Sequence, residues 1–203
     1  KEVIISTGAT SLDELKEIFK VIFKKNLKNK ITILQCTAFY PCNEKELNIN
    51  SIKVLREKFK TNVGFSDHSL SLVSGALAYA AGAKVIEKHF TLNKKIKGPD
   101  HKFAIEPKEF KEMVDKIRKI EDGIGNGIKG IYSKEESNMA KKARRSIHAK
   151  KNLNIGDIIK AEDLIFKRPG FGIEPYLMKK VIGKKVCKRI KKDYWIKWEM
   201  LKG

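Results

Sequence analysis

The sequence predicts an α/β fold with a parallel sheet, followed by a small β-rich domain. From residue 2 to about residue 123, short β-branched runs alternate with longer segments of helical periodicity. A glycine-rich, charged segment comes next, and only short strand-like runs follow it. We therefore predict a first domain over residues 1–121, a linker over residues 122–143 and a second domain over residues 144–203. With 203 residues, the chain has room for two such domains.

Four β-strands are predicted in the first domain, each short, β-branched and bounded by turn residues. They are Val3–Ser6, Ile31–Thr37, Asn62–Phe65 and Lys84–Phe90. Strands that alternate with helices in this way are parallel and are joined by helical crossovers. Four β–α units are too few to close an eight-stranded barrel on their own.

Four helices are predicted between and after these strands. The first has a capping box, since Glu14 follows Ser11 by three residues, and its apolar residues recur at helical spacing. The third is a run of small residues over Leu70–Ala81, and the fourth runs from Pro107 to a stop at Gly123. The second contains the apolar residues Ile52, Leu55 and Phe59.

The second domain should be compact and rich in short strands. Its strand-like runs are separated by turns such as Asn154-Ile155-Gly156-Asp157. These runs are Ser146–Ala149, Asp157–Ile159, Leu164–Lys167 and Val186–Ile190. A domain of about 60 residues lies within the usual range of sizes.

The chain is strongly basic, with 44 Lys and Arg against 24 Asp and Glu and a net charge of +20. Such a surplus attracts anions, whether nucleic acid, phosphate esters or acidic sugars. We expect no nucleic-acid partner, because the basic C-terminal region lacks the interleaved aromatic residues of single-strand binders and carries no known nucleic-acid motif. A solvated, lysine-rich surface explains the charge of this region.

Cysteine usage and hydropathy favour a cytoplasmic protein. Cys36, Cys42 and Cys187 have no paired spacing, and their odd number argues against a disulfide framework. No apolar run reaches the roughly 18 residues that a membrane helix needs, and the sequence shows no charged-then-apolar signal at its start. We expect a reducing compartment and no membrane association.

Two histidines stand at corresponding ends of the third and fourth predicted strands. Side chains two apart in a strand share a face, so Ser66 points the same way as His68. By the same rule, Glu87 points the same way as His89. Neighbouring strands lie about 4.8 Å apart, which would let the two histidines share one metal ion. The alternative is two structural histidines on strands that are not adjacent, and the sequence alone leaves both open.

Two loop motifs carry weaker signals. Gly98-Pro99-Asp100-His101-Lys102 is turn chemistry, and its carboxylate could also bind sugar hydroxyls above the strand ends. Ser6-Thr7-Gly8 ends the first strand and enters a helix, where hydroxyls and free backbone N–H groups suit a phosphate. A helix cap explains the second motif equally well, so both alternatives stay open for each loop.

Taken in order, these motifs and several others resemble the sialic acid synthase family. The resemblance spans essentially the whole chain and rests on the ordered set rather than on any one segment. It implies the C-terminal half of a TIM (β/α)8 barrel followed by an antifreeze-like (SAF) domain. Its motifs are Ile4-Ile5-Ser6-Thr7-Gly8, Gln35-Cys36-Thr37, Tyr40-Pro41, Ser66-Asp67-His68, Glu87-Lys88-His89-Phe90-Thr91, Gly98-Pro99-Asp100-His101-Lys102, Ala143-Arg144-Arg145-Ser146, Lys167-Arg168-Pro169-Gly170 and Ile182-Gly183-Lys184-Lys185.

The resemblance implies an enzyme that condenses phosphoenolpyruvate with an N-acetylated hexosamine, such as N-acetylmannosamine. Phosphate would be released and a sialic-acid-type nonulosonic acid formed. By the same resemblance, His68 and His89 would ligate a divalent metal, Mn2+ or Mg2+, with Glu87 close by as a catalytic residue. Four further side chains would bind the substrates: Ser6 and Ser66 the phosphate of phosphoenolpyruvate, and Tyr40 and Asp100 the sugar.

The resemblance also implies a homodimer in which each SAF domain caps the barrel of the partner, with Arg168 reaching into the partner's active site. The alternative for Arg168 is one more surface charge. The family's phosphoenolpyruvate-binding lysines belong to the first half of the barrel, so these 203 residues alone are expected to be inactive. Two other functions stay open: another metal-dependent barrel aldolase or hydrolase, and a non-catalytic protein whose SAF domain binds a glycan or a protein.

Overall fold

The computed structural model describes residues 1–23 and 28–203, which form two compact units, Lys1–Ile128 and Lys129–Gly203. The first unit contains one sheet, in which neighbouring strands are parallel and lie side by side in chain order. Its strands are β1 (Val3–Ser6), β2 (Ile31–Cys36), β3 (Asn62–Asp67) and β4 (Val85–Lys88). The prediction of an α/β fold with parallel strands is confirmed.

Each predicted helix of the first unit is present. The helices are α1 (Leu12–Phe23), α2 (Ser51–Phe59), α3 (Ser74–Ala80) and α4 (Pro107–Ile124). The capping box of α1 forms as expected: the Ser11 backbone N–H donates to Glu14 Oε2 at 2.8 Å, and the Glu14 backbone N–H donates to Ser11 Oγ at 3.3 Å. These bonds satisfy donors that the first turn of a helix leaves without partners.

The helix α3 begins later than the apolar pattern predicts, at Ser74 rather than at Leu70. The Asp67 carboxylate accepts hydrogen bonds from the Ser69 backbone N–H at 2.9 Å and from the Ser69 hydroxyl at 2.7 Å. The Ser69 hydroxyl in turn accepts from the backbone N–H of Ser71 at 3.1 Å. Bonds of this kind between side chain and backbone compete with helical ones. They hold residues 67–71 in turns and delay the start of the helix.

The sheet uses its two faces differently. On the outer face, Ile33 and Phe65 pack into the main apolar core together with side chains of the helices. On the inner face, Leu34 is buried and lies in front of Gly64. A Cβ atom on Gly64 would lie 2.5 Å from both Leu34 Cδ2 and the main-chain oxygen of Val85. The close approach of β2, β3 and β4 therefore requires glycine at this position.

The described part of the sheet is open, because β1 pairs only with β2 and β4 pairs only with β3. The parallel sheet curls as a half-barrel, as the family resemblance implies, whereas a complete TIM (β/α)8 barrel remains a prediction. Within residues 1–23 and 28–203, no helix is long and apolar enough to cross a membrane.

The second unit consists of two short antiparallel pairs around a core of its own. Strand β5 (Ser146–Ala149) pairs with β6 (Leu164–Lys167), and β7 (Lys185–Val186) pairs with β8 (Leu201–Lys202). The helix α5 (Lys134–Ala143) occupies part of the segment 122–143, which the sequence predicts as a linker. The elements are α5 (Lys134–Ala143), β5 (Ser146–Ala149), β6 (Leu164–Lys167), α6 (Met178–Val181), β7 (Lys185–Val186) and β8 (Leu201–Lys202), and the core includes Ile147, Leu153, Ile159, Val181, Ile190 and Ile196.

Candidate active site

Polar side chains meet at the carboxyl ends of β2, β3 and β4. The parallel register pairs Cys36 with Ser66 and Ser66 with Glu87, so these three residues form one row across the sheet. His68 follows Ser66 by two residues and His89 follows Glu87 by two, so both histidines lie on the same face of the sheet as this row. The carboxyl edge of a parallel sheet is the usual position of ligand sites in α/β folds.

Tyr40 stands between the two histidines. Its hydroxyl oxygen lies 2.5 Å from Nε2 of His68 and 2.8 Å from Nε2 of His89. The Tyr40 ring stacks on the His68 ring with a centroid distance of 3.7 Å and an interplanar angle of 22°. The two imidazole centroids are 6.2 Å apart. Both histidines therefore lie on adjacent strand ends and direct a ring nitrogen at the same point.

The loop after β2 brings Tyr40 to this position. The backbone N–H of Cys42 donates to the carbonyl of His68 at 3.1 Å, which ties this loop to the end of β3. The Thr37 hydroxyl donates to the carbonyl of Glu46 at 2.8 Å and closes the base of the loop. The main chain on both sides of Tyr40 is thus fixed.

The pKa shifts of Tyr40 and His68 both favour the neutral form of the side chain. Burial raises the pKa of Tyr40 to about 12, and nearby acidic groups, among them Cys36 and Glu87, raise it too. Burial lowers the pKa of His68, a hydrogen bond to the backbone of Thr37 opposes that shift, and the neighbouring His89 lowers the pKa again. A neutral imidazole is the form that binds a metal ion.

Ser66 holds the Glu87 carboxylate at the edge of the site. Its hydroxyl donates to Glu87 Oε1 at 2.5 Å and lies 3.3 Å from Nε2 of His68. Cys36 Sγ lies 3.7 Å from the same nitrogen. Ser66 is buried and Glu87 is exposed. The Glu87 carboxylate is therefore accessible to a ligand, while the hydrogen bond from Ser66 fixes its orientation.

A buried ion pair lies on the opposite face of the sheet. Lys88 Nζ lies 2.7 Å from Asp67 Oδ2, and the two side chains are 2% and 0% exposed. The Ser74 hydroxyl, at the start of α3, donates to the same carboxylate oxygen at 2.5 Å. Lys88 also donates to the carbonyl of Ser69 at 2.5 Å. The pair thus joins the ends of β3 and β4 to the turn that leads into α3.

Three predicted site residues remain, which are Ser6, Asp100 and Arg168. Ser6 is exposed at the end of β1, and β2 separates it from β3. Asp100 is exposed in the loop after β4, and its charge contributes to the raised pKa of Tyr40. Arg168 belongs to the second unit, where it lines an open hollow of about 530 Å³ together with Arg145. The structure thus brings five predicted residues together, which are Tyr40, Ser66, His68, Glu87 and His89.

These side chains fit part of a metal site. The two imidazole nitrogens are directed at one point, where the Tyr40 hydroxyl oxygen lies, and imidazoles placed this way would supply two ligands of a divalent transition-metal ion if the hydroxyl moved aside. In the part of the chain that the structure describes, no group of three or more His, Cys, Asp and Glu side chains is arranged to hold a metal ion. Water or substrate oxygens would have to complete the coordination shell around His68 and His89.

Sequence reasoning missed three features of this site. The first two are the central position of Tyr40 and the contact of Cys36 with His68, both of which depend on how the loop after β2 folds back. The third is the ion pair of Asp67 and Lys88. For this pair a signal was present, because each residue directly precedes a histidine and strand alternation places both on the opposite face.

Fold and site together define a class of protein. It is a two-domain α/β protein that has a polar site at the carboxyl ends of its parallel strands and a small β-rich unit after them. Residues 1–129 match the NeuB family and residues 144–202 match the SAF domain. The chain belongs to the NeuB family. The resemblance to sialic acid synthases that the sequence motifs indicate is thereby confirmed.

Individual relatives agree with this assignment. The chain is 40% identical over 203 residues to an uncharacterised protein of Methanocaldococcus jannaschii, a match that covers 100% of this chain and 60% of the relative. It is 39% identical over 198 residues to N,N'-diacetyllegionaminic acid synthase of Campylobacter jejuni, covering 97% and 59%. The crystal structure of N-acetylneuraminic acid (sialic acid) synthetase from Leptospira borgpetersenii superposes with a TM-score of 0.62 at 32% identity, covering 68% of this chain and 48% of that one. The chain thus spans less than two thirds of the length of these relatives.

Proposed function

We propose that this chain is part of an enzyme that condenses phosphoenolpyruvate with an N-acetylated hexosamine to form a nonulosonic acid. The observation that carries the proposal is the convergence of His68, His89 and Tyr40 at adjacent strand ends of a NeuB-family sheet. The names of the relatives, a legionaminic acid synthase and a sialic acid synthetase, support the class of product.

We assign a divalent metal ion to His68 and His89. Imidazole ligands favour Mn2+ over Mg2+, because Mg2+ prefers oxygen ligands. Such an ion, when bound, would supply Lewis-acid chemistry that makes the sugar aldehyde more electrophilic. The Tyr40 phenol, which its raised pKa keeps protonated, would donate a hydrogen bond to the sugar beside the two histidines.

In the proposed reaction, C3 of phosphoenolpyruvate forms a bond to the aldehyde carbon, and the aldehyde oxygen takes up a proton. Water adds at C2, where positive charge develops, and phosphate leaves, so that the oxygen of water becomes the new keto oxygen. Glu87 lies two residues before His89 on the same face of the sheet and would stabilise the charge at C2. Its hydrogen bond from Ser66 would hold the carboxylate in place during this step.

The other predicted residues keep the roles that family resemblance gives them in this proposal. Ser66, with Ser6 at the end of β1, would bind the phosphate of phosphoenolpyruvate. Asp100 would bind sugar hydroxyls from the loop after β4. Arg168 would act in a homodimer, entering the site of the partner subunit from the SAF domain. The exposure of Ser6, Asp100 and Arg168 is consistent with groups that meet a ligand or a second subunit.

The test is phosphate release from phosphoenolpyruvate by the full natural-length protein, with N-acetylmannosamine and Mn2+ present. We expect release that depends on the sugar and that is lost in His68→Ala and in His89→Ala. Tyr79→Phe is a matched control for Tyr40→Phe, because the Tyr79 hydroxyl bonds Glu121 at 3.3 Å, away from the histidines. Only the Tyr40 variant should impair turnover.

Two results would contradict the proposal. One is the absence of phosphate release with every N-acetylhexosamine tried. The other is wild-type release by both histidine variants, which would remove the metal assignment even if the condensation itself occurred.

A further inference from the structure

We propose that Asp67 and Lys88 are positioning residues, whose buried ion pair fixes the separation of His68 and His89. The inference rests on the proposed function, because it takes the two histidines as metal ligands. Neither charged residue touches the ligand site, since both lie on the opposite face of the sheet. Their action would pass through the main chain to the histidine that follows each of them in sequence.

Three successive rows of the register carry this argument. Ser66 pairs with Glu87 in the first row, and their side chains are hydrogen-bonded on the inner face. Asp67 pairs with Lys88 in the second row, with the ion pair on the outer face. His68 directly follows Asp67, and His89 directly follows Lys88. Each histidine therefore leaves its strand directly after a residue whose position the ion pair fixes.

The pair is held from several directions. Asp67 accepts hydrogen bonds from the backbone N–H and hydroxyl of Ser69, from the Ser74 hydroxyl and from Lys88. Lys88 also donates to the carbonyl of Ser69. Because both side chains are almost completely buried, water does not compete for these bonds. Directional bonds in a dry environment allow little relative movement of the two strand ends.

Stability alone does not account for such a pair. The cost of removing two charges from water largely offsets their attraction, and replacing a buried ion pair by apolar residues of similar volume is often neutral. What the pair provides is a defined geometry at one point. That point lies one residue before each proposed metal ligand, where a shift of the main chain would move an imidazole directly.

The experiment measures Mn2+ binding by isothermal titration calorimetry with the full natural-length protein, together with kcat as a function of Mn2+ concentration. The variant is the double substitution Asp67→Asn with Lys88→Met, which removes both charges and keeps the side-chain volumes. We expect Mn2+ binding to weaken by roughly 10-fold to 100-fold, as is usual when groups that orient metal ligands are lost. At saturating Mn2+, kcat should return close to the wild-type value, a split that general loss of structure would not produce.

A second variant makes a smaller change at the same point. Ser74→Ala removes one hydrogen bond to Asp67 and leaves both charges in place. We expect Mn2+ binding to weaken by roughly threefold to tenfold, in line with the net contribution of one hydrogen bond. The matched control is Lys111→Met, which breaks the 2.7 Å pair of Lys111 and Asp115 on α4, more than 20 residues along the chain from both histidines. This control should bind Mn2+ as the wild type does.

Two results overturn the inference, and they are distinguishable. If the wild type binds Mn2+ and loses it on His68→Ala, but Ser74→Ala and the folded double variant bind with wild-type affinity, the positioning role is wrong and the metal site stands. If the wild type binds no Mn2+, the metal assignment fails and the inference fails with it.

Discussion

Gly64→Ala should destabilise the first unit strongly, because the added methyl group has no room on the inner face of the sheet. The new Cβ would lie 2.5 Å from Leu34 Cδ2 and from the Val85 main-chain oxygen, whereas ordinary contacts are 3.4–4 Å. The Leu34 methyl can rotate away, but the oxygen belongs to the neighbouring strand. The strands would have to move apart by roughly 1 Å, and overpacking of this kind costs about 3 kcal/mol.

Urea unfolding measures this cost. With a slope of about 2 kcal/mol per molar urea, the midpoint should fall by about 1.5 M. Far-UV circular dichroism follows the helices, most of which lie in the first unit. Fluorescence follows Trp195 and Trp198, which are the two tryptophans of the chain and both lie in the second unit. The fluorescence transition therefore reports on the second unit, and circular dichroism mainly on the first.

Gly123→Ala is the matched substitution at an open helical position. A Cβ on Gly123, in α4, would meet nothing within 4 Å. Alanine should raise the free energy of unfolding by about 0.5–1 kcal/mol, because glycine is the poorer helix former. An unchanged circular dichroism midpoint in Gly64→Ala would refute the packing argument, and so would equal losses in both variants.

Two further predictions concern capping and ionisation. Ser11→Ala should lower the free energy of unfolding by about 1 kcal/mol, because it removes the α1 cap; NMR titration should also show the pKa of Glu14 rising, since the Ser11 hydroxyl is the first cause of its lowered value. Because the pKa of the Glu14 carboxyl is lowered in the fold, its ionisation stabilises the fold at pH values above the ordinary carboxyl pKa, and this effect is lost as the pH falls. An unchanged pKa of Glu14 in the variant would contradict the capping geometry. Tyr40 should titrate near pH 12 in phenolate absorbance, and Tyr40→Phe should remove that component. Because this pKa is raised, its stabilising effect is present below pH 10 and lost as pH rises through 12; a Tyr40 titration at an ordinary pKa would show that burial is absent.

The sequence predicts the secondary structure well where one local signal dominates. Strand β1 and helix α1 follow the pattern closely, because β-branched residues and a capping box leave no competing local structure. The start of α3 is mispredicted, because Asp67 and Ser69 form turns through side-chain bonds that an apolar pattern does not reveal. Side-chain hydrogen bonding, rather than hydrophobic periodicity, decides that boundary.

The site was predictable in part for a related reason. Strand alternation places Ser66 with His68 from sequence alone, but the adjacency of β3 and β4 is a property of the register. The position of Tyr40 depends on a bond from the backbone of Cys42 to the His68 carbonyl, and no sequence pattern announces such a bond. Contacts within an element can thus be derived from spacing, whereas contacts between a loop and a strand need the three-dimensional fold.

The alternation of faces at the end of β4 limits how this gene can vary in length. Deleting or inserting a single codon between Val85 and Lys88 would turn every later side chain of the strand to the opposite face. The lysine ammonium would then enter the ligand site, and the imidazole of His89 would be pressed against the helices. The number of residues in β4 therefore matters to the site as much as their identity does.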